Sequence, residues 1–532
     1  MKKHIFVPTL LATALTLLVG SCNKDEDFIT LSVNTQSYSG NTKLYIDENC
    51  IACWSQGDSV FASTNTGPCT ITINDGHAQM QVPNNFPLSL FYPYSTVTTA
   101  SGSNRTFLLP QVQRYRLDSD GRQLVEAPMA AYAEQGATSI QFLNLCTLIE
   151  IANIPTNKDV EYITVVNGSD NLWGYGNLSF ENNGAPTINY SGGDNTVILD
   201  CRHSSSQCSH RNSLYLVVPP VNYSQLTIKV FIKEDGTLKS YTANGTHSGT
   251  FIANTIYTFT LPNSPTFTDE GYTPIGSHGG LFTISTDGKK AWFSQGNLEQ
   301  QPSSNTWRFC APQYDYYISF SLTNTYSGWN QLFCWGTSGW NGGVTAYQPY
   351  ATDTRADQYY LGNNANNDLT GNFANADWGV FNRISNGGMQ KGLWRTLTHD
   401  EWNYLIYNRT NRCGIGKVGG SNGIRGIFLF PDNFQMPSGF AYNLNNWTLN
   451  IYSTDQWSEL ESRGAIFLPM VPCRNTNGEY LESLSAYWSS TTSEVNNTIW
   501  GVKLITGDTP KVSIVNTLPR SYGFCVRLVQ DF

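Results

Sequence analysis

Apolar and polar residues alternate in short runs through the first half of the chain. Thr70-Ile71-Thr72-Ile73, Leu226-Thr227-Ile228-Lys229-Val230 and Ile256-Tyr257-Thr258-Phe259-Thr260 each send successive side chains to opposite faces, which predicts half-buried strands. Asn74-Asp75-Gly76 and Asp235-Gly236 supply turns between such runs. From Phe28 to about Asn263 no ten-residue stretch keeps helical spacing, so this region reads as all-β and is long enough for two β-sandwiches. The break between them is expected near Ala133-Glu134-Gln135-Gly136, ahead of the apolar run Ile140 to Ile151. Residues 263–279 are rich in Pro, Ser and Gly and poor in apolar residues, the composition of a linker.

After about Gly280 helical signals join the strands. Thr398-His399-Asp400-Glu401 forms a capping box ahead of Trp402, Leu405 and Ile406 on one face. Ser453 or Thr454 starts a second helix, with Trp457 and Leu460 inward and Gly464 as its stop. Strands are predicted at 426–430, 465–469 and 499–503, and the chain closes on Gly523-Phe524-Cys525-Val526-Arg527-Leu528-Val529. A few helices among small sheets make 280–532 an α+β domain. At the other end, Lys2 and Lys3 precede an uncharged apolar run from Ile5 to Val19. That run is shorter than the roughly 20 residues a membrane span needs, and it suits the core of a signal peptide occupying 1–21.

Composition narrows the function classes. Only 13% of residues are charged, the formal net charge is −9, and no Lys/Arg cluster occurs, so nucleic acid is not an expected partner. Of 14 Trp residues, 12 lie between Trp292 and Trp500, which marks 280–532 as a distinct domain. Of the 12 Cys residues, Cys50 and Cys53 have CxxC spacing but alternate like a strand, with no second pair to complete a zinc site. Cys201 and Cys208, with His203 and His210, lie in a Ser-rich stretch that reads as a hairpin loop, where a disulfide is favoured over a metal. No metal or cofactor is expected.

Several segments resemble known families. Leu18-Val19-Gly20-Ser21-Cys22 ends the apolar run with small residues before a cysteine and resembles the lipobox of bacterial lipoproteins. The resemblance implies cleavage before Cys22 and a lipid on Cys22. The polar tether 22–27, Cys22-Asn23-Lys24-Asp25-Glu26-Asp27, resembles a Bacteroidetes surface-export signal, which implies outer-membrane anchoring facing outward. Trp54-Ser55-Gln56-Gly57-Asp58, Leu90-Phe91-Tyr92-Pro93-Tyr94, Pro128-Met129-Ala130-Ala131-Tyr132, Phe142-Leu143-Asn144-Leu145-Cys146 and Tyr257-Thr258-Phe259 fall in the order of fimbrillin-like proteins. These are pilus subunits and adhesins of Bacteroidetes. The resemblance implies two transthyretin-like β-sandwiches, 28–133 and 134–262, and other pilin subunits as possible partners through strand addition. In that family a protease removes an N-terminal strand. With no Arg before Arg105, Lys43 would have to serve as the processing site.

Phe293-Ser294-Gln295-Gly296-Asn297-Leu298, Trp335-Gly336-Thr337-Ser338-Gly339-Trp340, Asp377-Trp378-Gly379, Trp394-Arg395-Thr396-Leu397, Tyr487-Trp488-Ser489-Ser490 and the closing 523–529 resemble a repeated domain of Bacteroidetes and Fibrobacter surface proteins. That domain is similar to the C-type-lectin-like fold, shared with formylglycine-generating enzymes. The paired-cysteine site of those enzymes is not matched around Cys525, and neither Glu-Pro-Asn nor Gln-Pro-Asp, the calcium-dependent sugar motifs, occurs. Asp400 and Glu401 could be cast as an acid/base pair, but helix capping accounts for them.

Binding is better supported than catalysis. Trp and Tyr rings stack on sugar C–H faces while Asn, Gln and Asp bond the hydroxyls, and the Gly-rich stretch 335–350 carries both kinds of group. Trp335 is expected in the core. For Trp340, Tyr347 and Tyr350 core and ligand-binding roles stand open. The reading is a lipid-anchored surface adhesin, a pilus tip or fimbrillin-like subunit, that binds glycan or a surface protein. A stand-alone lipoprotein that captures glycans is the alternative, and an enzyme comes third.

Overall fold

The computed structural model describes residues 28–35, 54, 57–63, 67–75, 77–101, 104–117, 123–180, 184, 186–202, 212–269, 271–317, 324–340, 367–410, 412–443, 450–475, 478–482, 484–493, 498–505 and 511–532. Cys22, Lys43, Cys50, Cys53, His203, Cys208, His210, Tyr347 and Tyr350 lie outside them. The chain is mainly β, and its residue contacts divide it into two units.

The first unit takes described residues up to Phe107, then Glu126–Cys146 and Gly176–Asn189. Seven of its strands hydrogen-bond in a closed order: Phe28–Thr35, Ser139–Asn144, Met129–Ala133, Leu88–Tyr92, Ser59–Ala62, Cys69–Asn74, His77–Pro83 and back to the first. Phe28–Thr35 runs parallel to Ser139–Asn144 and antiparallel to His77–Pro83. Alternation fills the interior with Leu31, Val33, Val60, Ile71, Met80, Leu90 and Phe142. Trp54 closes this core, edge-on to Tyr92 at 5.1 Å and to Phe142 at 5.0 Å. Such aromatic contacts contribute about 0.5–1.5 kcal/mol each beyond area burial.

Two sequence expectations change here. The hydrogen bonds close a barrel where two facing sheets were expected. The break expected at 133–136 falls instead after Asn144, because Ser139–Asn144 pairs with Met129–Ala133 and completes the barrel against Phe28–Thr35. A parallel pairing with a strand a hundred residues earlier leaves no local trace in the sequence.

The second unit opens with a sandwich. A five-stranded sheet runs in the order Thr237–Asn244, Thr227–Glu234, Asp159–Val166, Thr196–Asp200, Val112–Arg114. A three-stranded sheet runs Ser213–Val218, Thr147–Ala152, Ile256–Thr260. Ile149, Ile151, Leu214 and Leu216 from the smaller sheet join one core with Ile163, Val165, Val230 and Ile232 from the larger, and Cys201 is buried there.

Beyond Ser277 the same unit holds two four-stranded sheets and one three-stranded sheet. The capping boxes are present: Thr398 heads the helix His399–Asn403, and Ser453 heads Thr454–Ser462. Trp402, Leu405, Trp457 and Leu460 are fully buried. The stop at Gly464 has a φ of +85°, which glycine adopts without a Cβ penalty. Six Trp residues, among them Trp335, Trp378, Trp394 and Trp488, stand among the largest fully buried side chains, so most of the tryptophan enrichment is packing. The last strand, Leu528–Asp531, lies inside its sheet between Lys290–Ser294 and Arg395–Thr396.

Residues 263–279 do not behave as an open linker. Thr268 pairs with Ser240 through two backbone hydrogen bonds of 2.8 and 2.9 Å. Tyr272 is buried, stacked on Tyr162 at 3.8 Å and edge-on to Trp292 at 6.1 Å. One cluster therefore runs from Val112, Tyr162, Ile198 and Phe231 of the sandwich to Trp292, Trp307 and Trp394 of the C-terminal region. A single aromatic in a polar stretch is enough for this, and composition averages over it.

Candidate functional site

The candidate site is built around Trp340 and Asp368, which lie on either side of residues 341–367. Trp335 sets the frame. It is fully buried, its indole N–H donates to Ser489 O at 2.8 Å, and its backbone N–H donates to Arg520 O at 3.0 Å. Thr337 and Ser338 continue the anchorage through Cys334 O (2.7 Å) and Asn375 O (2.6 Å), and Asn382 Nδ2 donates to Ser338 O at 3.0 Å. Trp340 comes next. It is half-buried against the tryptophan-rich cluster, and its N–H donates to Ser338 Oγ at 3.3 Å. Its ring is thus partly spent on packing and partly accessible.

On the far flank, Asp368 Oδ1 accepts from Thr492 N at 2.8 Å and Thr492 Oγ1 at 2.9 Å. Leu369 N donates to Ser490 O at 2.8 Å. Both flanks are therefore fixed to residues 489–492 of one strand, Ser485–Thr492. The same stretch positions two groups that sequence reasoning passed over. His399 N donates to Thr491 Oγ1 at 3.1 Å, and the His399 ring lies 4.0 Å from the Trp500 ring. Asp400, whose side chain is 94% exposed, meets His399 Nδ1 at 2.9 Å. Trp500 is half-buried beside a register shift between Ile499 and Gly501. A bulge re-aims side chains without marking the sequence, so the strand pattern at 499–503 did not single out Trp500.

These groups suit recognition. Open indole faces stack on apolar ring faces, and an exposed carboxylate accepts from hydroxyl or amide donors. The serines at this place are spent on structure: Ser489 Oγ donates to Trp500 O at 2.7 Å and Ser490 Oγ to Leu397 O at 3.4 Å. Asp400 and Glu401 occupy the capping box, with Glu401 N donating to Thr398 Oγ1 at 3.2 Å and Glu401 Oε2 accepting from Thr398 N at 2.9 Å. Glu401 is further held by Arg395, at 2.7 Å to each carboxylate oxygen.

The buried cysteines have little thiolate character. Burial pushes the Cys310 and Cys473 thiols up to about 12, and it raises Cys525 strongly as well, with Cys310 and Cys473 adding to the shift. Among the described residues no group of three or more His, Cys, Asp and Glu side chains is placed to hold a metal ion.

No known family pattern and no curated protein matches this chain. Solved structures overlap with part of it. A candidate cell adhesion protein of Bacteroides ovatus shares 14% identity at a TM-score of 0.29, over 45% of this chain and 95% of that one. A candidate cell adhesion protein of Bacteroides thetaiotaomicron shares 12% at 0.24, over 44% and 92%. The tip fimbrial protein Mfa3 of Porphyromonas gingivalis, truncated at its C-terminus, shares 11% at 0.17, over 40% and 92%.

Proposed function

We propose that the chain is a surface adhesin, held to the outer membrane by lipid on Cys22, which binds glycan or a surface protein through its C-terminal region. The carrying observation is the placement of Trp340: a half-buried indole packed against the buried tryptophan cluster, on a backbone pinned through Ser338 to that frame. A partly accessible aromatic held on a rigid frame limits the ordering cost of binding. No catalytic role is assigned; by resemblance the second β region is a transthyretin-like sandwich and the C-terminal region a C-type-lectin-like domain, while the first forms the closed barrel described above.

The terminal position in a pilus is part of this reading. Subunits joined by strand addition need a strand to give, with backbone hydrogen bonds supplying affinity. Here Leu528–Asp531 is paired on both sides, and Phe524 to Val529 are all buried. This strand is taken up in its own sheet and is not free to be given to a neighbour, which fits a subunit that accepts a strand and so a tip.

The test is binding of the detergent-solubilised full chain to glycan and host-surface-protein arrays. Trp340→Ala should weaken the strongest signal about tenfold or more while the melting temperature moves by no more than a degree or two. A large fall in melting temperature would place Trp340 in the core and remove the site.

A further inference from the structure

In the barrel of the first unit, Phe28–Thr35, His77–Pro83 and Cys69–Asn74 lie side by side, and the pleat sends Leu31, Met80 and Ile71 inward. The opposite faces form cross-strand rows. Thr30 sits opposite Gln81, and Gln79 lies between Ser32 and Thr72. Thr30, Thr70, Thr72, Asn74, Gln79 and Gln81 line a concavity of about 550 Å³, and Phe28 and Pro68 add apolar surface to its wall. Phe28 is a large aromatic left 51% exposed.

The chemistry of this face is unusual. The three strands contain no Asp, Glu, Lys or Arg. An outward sheet face normally carries charge, which keeps it soluble and protects it from pairing. The fold makes little use of the polar groups either. Asn74 Nδ2 reaches Gln79 Oε1 only at 3.5 Å and Thr72 Oγ1 reaches Gln79 O at 3.3 Å. The Thr30, Thr70 and Gln81 side chains have no intramolecular partner among the described residues.

We infer that this concavity is a second binding site, and that its ligand is a neutral oligosaccharide. A carboxamide offers donor and acceptor in one planar group, and a hydroxyl offers either, which matches the paired demands of sugar hydroxyls. Phe28 presents a flat face to the C–H side of a ring. The volume falls in the range of small-ligand sites, about 300–1,000 Å³. Without a cation, the site offers nothing to offset desolvation of a sialic acid, uronate or sulfate. A protein partner fits less well, because interface cores concentrate aromatic residues, Met and Arg, and Phe28 stands alone here.

The site lies far along the chain from Trp340 and does not depend on the reading given to that residue. The detergent-solubilised full chain is applied to an array of neutral hexose and N-acetylhexosamine oligosaccharides, printed beside sialylated and sulfated counterparts. At least one neutral oligosaccharide signal should fall about tenfold or more in Gln79→Ala/Gln81→Ala and persist in Trp340→Ala. Thr30→Lys, which plants a charge in the concavity without touching the core, should abolish the same signal and guards against a folding defect in the double variant. The inference is overturned if the wild type retains only charged glycans or none, or if neutral signals survive both variants. A change in sedimentation with no change in glycan signal would also overturn it, by assigning the face to protein contact.

Discussion

A strand at the margin of a sheet exposes backbone N–H and C=O groups that another chain can pair with. Ser213–Val218 is such a strand, and two glutamines close it. Gln113 Nε2 donates to Val217 O at 2.6 Å while Gln113 Oε1 accepts from Val217 N at 2.9 Å. Gln123 repeats the arrangement at Tyr215, with 2.9 and 3.1 Å. Each carboxamide thus reproduces the pair of bonds that a neighbouring residue in a strand would make. Replacing either glutamine by Ala should cost about 1–3 kcal/mol, the range for orphaning buried polar groups, read from urea unfolding. The double variant should also dimerise with rising concentration in sedimentation runs, as two bare edges meet. Unchanged stability and a monomer at every concentration would mean that water replaces the amides at no cost. None of this was legible in the sequence: the partners lie 104 and 92 residues away, and a glutamine in a polar stretch has nothing to distinguish it.

At the level of elements, local signals were readable and distant ones were not. Capping boxes at Thr398 and Ser453 join residues three apart, so their chemistry is written within one turn, and both helices begin where the sequence places them. The same holds for Trp335 as core and Trp457 and Leu460 as the inward face. The barrel closure, the packed Tyr272 and the outward Trp500 each depend on a partner elsewhere in the chain. So does the ionic clamp on the last strand. Arg395 Nη2 meets Asp531 Oδ1 at 2.6 Å, its two Nη atoms meet Glu401 at 2.7 Å, and Lys289 lies 3.2 Å from Glu401. Burial by itself would raise the Glu401 and Asp531 carboxyls, but Arg395, with Lys289 near both and Thr398 N on Glu401, more than offsets it and holds both below the ordinary carboxylate value. A carboxylate depressed in the fold contributes stability that is present above its unfolded pKa, near 4, and is lost as pH falls through the folded value. Asp377 opposes this, since burial raises it and its contribution grows on acidification. Glu234, Asp287 and Asp432 are also held low while burial raises Glu161 and Glu299, so depressed carboxyls outnumber raised ones by five to three and the melting temperature should fall by several degrees between pH 5 and about pH 3. Arg395→Leu should lower it at pH 7 and flatten the acid dependence. A wild-type melting temperature that rises toward pH 3 would refute the clamp's role.

At the level of the second unit, the sandwich and the C-terminal region share a core, and this changes how the protein should come apart. A Pro/Ser/Gly-rich stretch between two domains would ordinarily be the first place a protease cuts. In this chain the stretch carries Tyr272 into a stack with Tyr162 and Trp292, and Phe231 stands edge-on to Tyr272 at 5.3 Å. Around that stack the contacts are polar and specific. Arg202 is bound to Asp200 at 2.7 and 2.9 Å, lies 4.9 Å over the Tyr162 ring and donates to Asp531 O. Val112 N donates to Gly388 O at 3.1 Å, and Lys233 lies 4.5 Å over the Phe532 ring. The sandwich and the C-terminal region should therefore melt in one calorimetric transition, and brief proteolysis should release no fragment beginning near Gly280. Tyr272→Ala removes the ring at the centre of the contact and should cost about 3 kcal/mol, as for other buried aromatics. It should also separate the single transition into two and open 263–279 to cleavage. If ligand binds near Trp340 as proposed, such a junction has a mechanical consequence: a pull on it would pass into the sandwich through packed rings, with no flexible tether to take up the slack. If a resistant fragment from about Gly280 already appears in the wild type, and Tyr272→Ala leaves the calorimetric trace unaltered, the shared core does not couple the two parts and the tether description would be the right one.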